Sequence, residues 1–219
     1  MSKYSVEANE LNKTFGRRLI FNGINFRYDE SGVFGISGPN GSGKSTLVKI
    51  IAGLISPTKG KIIHKNSDDE IIPEKLHNHI GLVSPYLVLY EEFTAWENLN
   101  IFSKIREISF DKDYAKDLLS GFLLYNRKDD LVKTYSSGMK QRMKFIFALI
   151  HHPELLIFDE PTSNLDNEGK NSVYEIIEDK SKESIIIIAS NDKADLDLCP
   201  EILDLKIYKE INNYKNENK

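Results

Sequence analysis

Short apolar runs, separated by polar and glycine-containing segments, divide the chain into predicted strands and helices. In the first half of the chain, strands are predicted at residues 4–11, 24–28, 33–37, 61–64 and 80–83. Gly23 and Gly32 are predicted to mark turns between short segments. Two further runs, at 155–158 and 185–189, are apolar throughout, as is typical of parallel strands buried on both faces.

Helices are predicted where apolar residues recur at positions i, i+3 and i+4. One is predicted over Ser45–Ala52, and another over Asn167–Lys180, where it would form the crossover between the last two apolar strands. Between residues 94 and 150 the pattern is mostly helical. The alternation predicts an α/β core with a mostly helical insertion near residues 86–135.

Composition and charge narrow the possible classes of protein. A length of 219 residues predicts one globular unit, and a formal net charge of −4 argues against a dedicated nucleic-acid surface. No stretch approaches the ~18–20 apolar residues of a membrane helix, and the N-terminus lacks the apolar core of a signal peptide. The single cysteine, Cys199, fits a reducing compartment. We therefore expect a cytosolic chain, ending in a polar, disordered tail at residues 209–219.

A phosphate-binding motif follows the strand at 33–37. It reads Gly38-Pro39-Asn40-Gly41-Ser42-Gly43-Lys44-Ser45-Thr46. The glycines let backbone N–H groups converge on phosphate oxygens, and the helix that follows presents its positive end. Lys44 is expected to reach the β- and γ-phosphates, and the Ser45 hydroxyl to ligate Mg²⁺. The motif indicates a nucleoside triphosphate site, but it is shared by GTPases, small-molecule kinases and ABC proteins.

Two adjacent carboxylates, Asp159 and Glu160, follow the apolar strand at 155–158. A carboxylate in the first position suits Mg²⁺, directly or through water. The second, placed beside the γ-phosphate, is suited to act as the general base that polarises an attacking water. We therefore predict that Asp159 is a metal ligand and that Glu160 is catalytic.

The segment Tyr135-Ser136-Ser137-Gly138-Met139-Lys140-Gln141-Arg142 resembles the signature motif of ABC ATPases. Asp159 and Glu160 then match the Walker B aspartate and catalytic glutamate of that family, and Ser163-Asn164-Leu165-Asp166 matches its D-loop. The resemblance covers residues 4–208. It implies a P-loop NTPase of the ABC-ATPase fold, with a RecA-like core, an N-terminal antiparallel β portion and a helical subdomain at about 86–150.

The same resemblance implies how the nucleotide is held. Ser136, Ser137 and Gly138 of one subunit, together with Asp166, are expected to close on ATP and Mg²⁺ held by Lys44 of a second ABC ATPase subunit, either an identical copy or a close paralogue. Phe15 aligns with the aromatic residue that stacks on adenine. Two positions depart from the motif, because Ser137 replaces its first glycine and Met139 its usual glutamine.

Two further positions differ from the family pattern, and both bear on ATP hydrolysis and on its coupling to the membrane partner. The family usually places a glutamine after the strand at 80–83, where this chain has Pro85, and a histidine after the strand at 185–189, where it has Asn191. Asn191 retains an amide N–H₂ that is able to reach a γ-phosphate, but it carries no positive charge. We therefore predict that Asn191 has a catalytic role and that ATP hydrolysis is slow.

The leading functional hypothesis is an ATPase subunit that drives an integral-membrane transporter subunit on a separate chain. It would lie on the cytoplasmic face of the inner membrane and bind no nucleic acid. The signature and the short insertion are most similar to small exporters of the haem-exporter-like or ABC-2-like group. The alternatives are a soluble ABC ATPase of the cofactor-assembly type and a cassette that binds ATP with little turnover.

Overall fold

Two β-sheets form the framework of the computed structural model, which describes residues 4–210. The antiparallel sheet has the strand order β2-β1-β4-β5, and the parallel sheet has the order β6-β7-β8-β3-β9. Within the described residues the strands are β1 (Tyr4–Phe15), β2 (Arg18–Tyr28), β3 (Gly32–Ser37), β4 (Lys59–Asn66), β5 (Asp69–Glu70), β6 (Ile80–Val83), β7 (Leu155–Asp159), β8 (Ile185–Ala189) and β9 (Glu201–Asp204).

Most helices begin at a polar side chain that caps the first turn. The cap of α2 is reciprocal, because the Thr94 hydroxyl accepts the Glu97 N–H at 3.1 Å and the Glu97 carboxylate accepts the Thr94 N–H at 2.8 Å. The α-helices are α1 (Lys44–Ile51), α2 (Ala95–Ile105), α3 (Lys112–Gly121), α4 (Ser137–Leu149), α5 (Asn167–Lys180), α6 (Lys193–Leu196) and α7 (Ile207–Glu210). Short 3₁₀ helices cover Pro73–Asn78, Tyr125–Arg127 and Val132–Thr134.

The parallel sheet separates two apolar cores. Along β8, Ile186 and Ile188 pack with helices α2 to α4, whereas Ile185 and Ile187 pack with α1 and the antiparallel sheet. Successive side chains of a strand point to opposite faces, so an unbroken apolar run buries both. This arrangement confirms the sequence interpretation of β7 and β8 as strands buried on two faces.

The carboxyl ends of three neighbouring strands meet at one edge of the parallel sheet. Asp159 of β7 pairs with Ala189 of β8, and Ile36 of β3 pairs with the same alanine. The segments that follow the three strands therefore leave the sheet side by side. In open parallel sheets, ligands bind at this edge.

The antiparallel sheet corrects two sequence expectations. The first strand extends beyond residue 11 to Phe15, and Gly23 lies inside β2 rather than in a turn. The pairing of β1 with β2 shifts register on both sides of Lys13, and Gly23 has a φ of +75°, where its N–H is donated to the Asn12 side chain at 3.2 Å. Gly23 therefore accommodates an irregular pairing, for which its conformational freedom is needed.

The C-terminal part of the described chain is more ordered than the sequence predicts. Helix α7 extends two residues into the segment expected to be a disordered tail, and Lys209 of α7 donates to the Gly41 carbonyl at 2.9 Å. Residues 211–219 lie outside the described residues. Within residues 4–210, no helix is long and apolar enough to cross a membrane.

A buried histidine predicts pH-dependent stability. The Tyr4 hydroxyl hydrogen-bonds to His64 Nδ1 at 2.7 Å, and burial lowers the pKa of His64 to about 4. The unfolded chain takes up this proton near pH 6.5, so the contribution of His64 is present above that pH and is lost as pH falls towards 4. Between pH 7 and 5 we expect the free energy of unfolding to fall by about 2 kcal/mol through this group. Urea denaturation of wild type and His64→Gln at both pH values tests this, because equal pH dependence would contradict it.

Candidate active site

The phosphate-binding loop connects β3 to α1 along the edge where the parallel strands end. Helix α1 begins at Lys44, and its N-cap residue Gly43 has a φ of 111° and no side chain to cap the helix, so the first N–H groups of the helix are left for a ligand. A Cβ at Gly43 would lie 2.5 Å from Ile20 Cγ2, and one at Gly38 would lie 2.7 Å from Ser42 Oγ. Glycine is therefore required at both positions.

A cavity of about 460 Å³ opens above this loop. It is lined by Phe15, Arg18, Ile20, residues 40–46 and Glu160. The fold thus brings Phe15, from the antiparallel sheet, to the loop that follows β3 and to the residue that follows β7. A concave site with convergent cations and backbone N–H groups is suited to a nucleoside triphosphate.

Lys44 lies at the centre of the site and is only 6% exposed. Its Nζ donates to the Gly38 carbonyl at 2.9 Å and to Asn191 Oδ1 at 2.5 Å, and lies 3.4 Å from Glu160 Oε1. Three oxygen atoms therefore surround this ammonium group. Phosphate oxygens have the same chemistry and the charge to replace them.

Asn191 lies beside the phosphate-binding loop. Its Oδ1 faces Lys44, and its Nδ2 donates to Asn40 Oδ1 at 2.5 Å. The N–H₂ group expected to reach a γ-phosphate is thus paired with a side chain of the loop itself. Contact with phosphate requires this amide to exchange Asn40 for the ligand, and the catalytic role of Asn191 stays a prediction.

Asp159 has the environment of a metal ligand. The residue is 1% exposed, and its Oδ1 has no hydrogen-bond partner within the described residues. Burial raises the pKa of Asp159 above its ordinary value, and this is partly opposed by a hydrogen bond from Ser45. An unpartnered buried carboxylate oxygen beside a hydroxyl fits Mg²⁺, which prefers oxygen ligands. The residues present therefore suit the ion that the sequence predicted.

Glu160 has an unusual backbone conformation. Its φ is +52°, while its N–H donates to the Ala189 carbonyl at 2.8 Å and its own carbonyl accepts the Ser163 hydroxyl at 2.9 Å. For a residue other than glycine this conformation costs on the order of 1 kcal/mol or more, and such strain is often found at active sites. The Glu160 carboxylate lines the cavity and lies beside the Lys44 ammonium.

The end of the cavity formed by β1 and β2 contains one residue, Arg18, that the sequence did not predict. Phe15 is 52% exposed, and the Lys13 ammonium lies 4.8 Å from the centre of its ring. Arg18 also lines the cavity, from the beginning of β2. The available signal was the Arg17-Arg18 pair directly after Phe15-Gly16, but only the turn between β1 and β2 shows which arginine faces the site.

The signature residues do not line this cavity within a single chain. Ser136 is the N-cap of α4 and accepts the Met139 N–H at 3.2 Å, whereas Asp166 caps α5 and accepts the Gly169 N–H at 2.8 Å. A Cβ at Gly138 would lie 3.1 Å from the Asn164 carbonyl oxygen. The Ser136 hydroxyl accepts one hydrogen bond and still has its own proton to donate. A capping role and a phosphate-binding role are therefore compatible.

The loop after β6 is held by two lysines where the family usually has a glutamine. Lys144 of α4 donates to the Ser84 and Pro85 carbonyls at 3.2 and 3.1 Å, and Lys49 of α1 lies 4.3 Å from the centre of the Tyr86 ring. The loop is thus linked to the helix after the phosphate-binding loop and to the signature helix. Beside it lies an apolar groove lined by Ala52, Leu54, His77, Ile80, Leu82, Leu87, Phe102, Arg106, Phe147 and Ala148.

Comparison with known proteins gives the same assignment as the motifs. A family model described as "ABC transporter" matches residues 21–163. The uncharacterized ABC transporter ATP-binding protein YybJ of Bacillus subtilis is 33% identical over 91% of this chain and 92% of its own length. The linearmycin resistance ATP-binding protein LnrL of the same organism is 34% identical over 84% of this chain, which spans only 60% of LnrL. A solved ATP-binding subunit of an ABC transporter superposes with a TM-score of 0.79 at 26% identity, over 91% of this chain and 85% of that one.

Proposed function

This chain belongs to the ABC transporter family, as an ATP-binding and ATP-hydrolysing subunit, and we propose that it hydrolyses Mg-ATP between two cassettes to drive a membrane-spanning subunit on a separate chain. The observation that carries the proposal is the meeting of Lys44, Glu160 and Asn191 within hydrogen-bond or ion-pair distance at the ends of three parallel strands. These residues come from segments far apart in the sequence, and each side chain is chemically suited to a role in phosphoryl transfer to water.

In the proposed complex, adenine stacks on Phe15 and the phosphates lie in the loop formed by residues 38–46. Lys44 exchanges its contacts with Asn191 and Glu160 for phosphate oxygens, which frees both side chains to face the terminal phosphate. Ser45 and Asp159 would hold Mg²⁺, which when bound neutralises charge on the phosphates. Glu160 accepts the proton of the attacking water, and its strained backbone holds the carboxylate towards the cavity.

The second half of each site is proposed to come from another cassette, either an identical copy or a close paralogue. In support, the helix end formed by Ser136, Ser137 and Gly138 does not line the nucleotide cavity of its own chain, and neither does Asp166 at the neighbouring helix end. A helix N-terminus with a free hydroxyl proton is suited to a terminal phosphate oxygen. Two cassettes facing each other would enclose two ATP molecules.

The membrane partner is proposed to dock in the apolar groove beside the loop after β6. Leu54, which lines the groove, and Tyr86, in the neighbouring loop, are 60% and 69% exposed, so their apolar surface is open to a partner. Occupation of the groove would place the partner against Tyr86, and so next to Lys49 on the helix that begins at the nucleotide. In the proposed complex the chain would lie on the cytoplasmic face of the membrane. The relatives named for linearmycin resistance and lantibiotic transport favour an exporter of the ABC-2-like group.

Affinity purification from the native membrane tests the transporter role. Wild type should retain an integral-membrane protein that mass spectrometry identifies, whereas Leu54→Asp should lose it, because Leu54 lines the groove and a carboxylate in an apolar interface would be desolvated without a partner. Lys112→Ala, on the exposed part of α3, serves as the matched surface control. If wild type retains no integral-membrane chain, the cofactor-assembly alternative is favoured instead.

Introducing a histidine at position 191 should preserve or increase the rate of ATP hydrolysis. A histidine N–H is able to stabilise the terminal phosphate with charge assistance that an asparagine amide lacks. The difference in activation free energy is on the order of 1–2 kcal/mol, or roughly ten-fold in rate. We expect the kcat of Asn191→His to equal or exceed that of wild type when phosphate release is measured in the reconstituted complex. A slower Asn191→His would show that the amide, with its pairing to Asn40, is itself the adapted group.

A further inference from the structure

A buried carboxylate outside the nucleotide cavity connects three segments of the site. Asp195, on α6, is 1% exposed. Its Oδ1 accepts hydrogen bonds from the Thr162 hydroxyl and the Tyr174 hydroxyl, both at 2.9 Å, and its Oδ2 accepts one from the Ser190 hydroxyl at 2.7 Å. Three donors from three different elements thus converge on one side chain.

This carboxylate is satisfied by hydroxyl groups rather than by a cation. In the described part of the chain, no lysine, arginine or histidine forms an ion pair with Asp195, and its partners are neutral hydroxyl groups. Burial of a carboxyl group without a cation is unfavourable unless hydrogen bonds replace the lost water. Three hydroxyl groups replace that water here, and the carboxylate in turn fixes the positions of its three donors.

Each donor is adjacent to a part of the site. Ser190 directly precedes Asn191, and its hydroxyl oxygen also accepts the Asp192 N–H at 3.0 Å. Thr162 lies two residues after Glu160, and its carbonyl accepts the Leu165 N–H at 3.2 Å. Tyr174 belongs to α5, which begins at the Asp166 cap. One side chain therefore links the segment after β8, the segment after β7 and the helix that follows them.

We propose that Asp195 is a positioning residue for ATP hydrolysis, which fixes the segment carrying Asn191 against the segment carrying Glu160. The inference rests on the proposed function, because it concerns the same reaction. Asn191 Oδ1 and Glu160 Oε1 lie 2.5 and 3.4 Å from the Lys44 ammonium, so a shift of either segment would move a polar group relative to the terminal phosphate. A displacement of about 1 Å of a reacting group is enough to lower a rate by up to roughly 100-fold.

A matched pair of substitutions separates positioning from general stability. Ser190→Ala and Tyr174→Phe each remove one hydrogen bond to Asp195, but only Ser190 is adjacent to a candidate catalytic residue. We expect kcat to fall by roughly 3–10-fold in Ser190→Ala and by less than about 2-fold in Tyr174→Phe, with the KM for ATP within about 2-fold of wild type in both. Steady-state phosphate release, the affinity for a fluorescent ATP analogue and thermal unfolding are measured on the full chain.

Asp195→Asn tests the carboxylate itself. An amide has a single oxygen, so it is unable to accept all three hydroxyl groups in the present geometry, and the Ser190 oxygen already accepts the Asp192 N–H. We expect its kcat to fall by roughly ten-fold with ATP affinity retained. Asp197→Asn, an exposed acid two residues away, should keep the wild-type kcat.

The outcomes separate failure of this inference from failure of the proposed function. An active wild type whose kcat is unchanged in Ser190→Ala, or lowered equally in Ser190→Ala and Tyr174→Phe in proportion to lost stability, would overturn the positioning role alone. A wild type no faster than Glu160→Gln would overturn the proposed hydrolysis, and the positioning role with it. If Asp195→Asn does not fold, the comparison of kcat between Ser190→Ala and Tyr174→Phe still tests the positioning role.

Discussion

Glu160→Gln should lower the rate of ATP hydrolysis by roughly 10²–10⁴-fold, the usual contribution of a positioned general base. The glutamine amide has nearly the same size and is able to remain beside Lys44, but it accepts no proton from water. ATP binding should persist, because the phosphate-binding loop and the candidate metal ligands are unchanged. Phosphate release by the reconstituted complex, with equilibrium binding of a fluorescent ATP analogue, measures both quantities.

Glu178→Gln is the matched control for this substitution. Glu178 is an exposed carboxylate on α5, and the side-chain change should leave kcat unaffected. If Glu160→Gln keeps more than about a tenth of the wild-type rate while binding ATP normally, Glu160 is not the general base. If wild type is as slow as Glu160→Gln, the binding-only alternative replaces the proposed hydrolysis.

Lys44→Ala should remove most of the affinity for ATP. Lys44 is buried, and three oxygens of the protein surround its ammonium group, so a ligand phosphate gains a charge-assisted contact there without much further desolvation. Loss of such a contact costs on the order of 3 kcal/mol, or roughly 100-fold in Kd. Isothermal titration with Mg-ATP measures the change.

The Lys44 substitution also has a structural consequence that needs a control. Without the ammonium, Glu160 loses its ion pair and Asn191 Oδ1 its donor, so a thermal melt must show that the variant is folded. Lys112→Ala, on the exposed surface of α3, should bind ATP as wild type does. Unchanged affinity in a folded Lys44→Ala variant would refute the assignment of the phosphate-binding loop.

The sequence carried enough information to predict the parallel core and the phosphate-binding loop. Strands β7 and β8 are short apolar runs with polar flanks, and α5 was predicted with its observed bounds, because such runs and helix caps are local signals. Strand β9 was missed. It has only four residues, Glu201–Asp204, with two exposed positions, and it pairs with β3 from the other end of the chain. Its formation depends on that partner rather than on its own pattern.

The sequence predicted most of the residues of the candidate site, but it did not predict which of them are in contact. Motif spacing indicated Lys44, Glu160 and Asn191 separately. The hydrogen bond between Lys44 and Asn191 joins residues 147 positions apart. The sequence around either residue does not predict that the asparagine oxygen accepts a hydrogen bond from the lysine. The Asp195 network was missed for the same reason, because its donors lie on three separate elements. Tertiary packing, rather than local pattern, decides which of many polar residues share a buried site.

Enclosure of ATP between two cassettes is tested most directly by light scattering of Glu160→Gln during gel filtration. Because hydrolysis is blocked, each ATP should remain bridged between the phosphate-binding loop of one chain and the helix end at Ser136–Gly138 of the other. We expect the mass of two chains with saturating Mg-ATP, and the mass of one chain without nucleotide or when Lys44→Ala is added. A Glu160→Gln protein that binds Mg-ATP and yet keeps the mass of one chain would show that ATP is not enclosed between two cassettes.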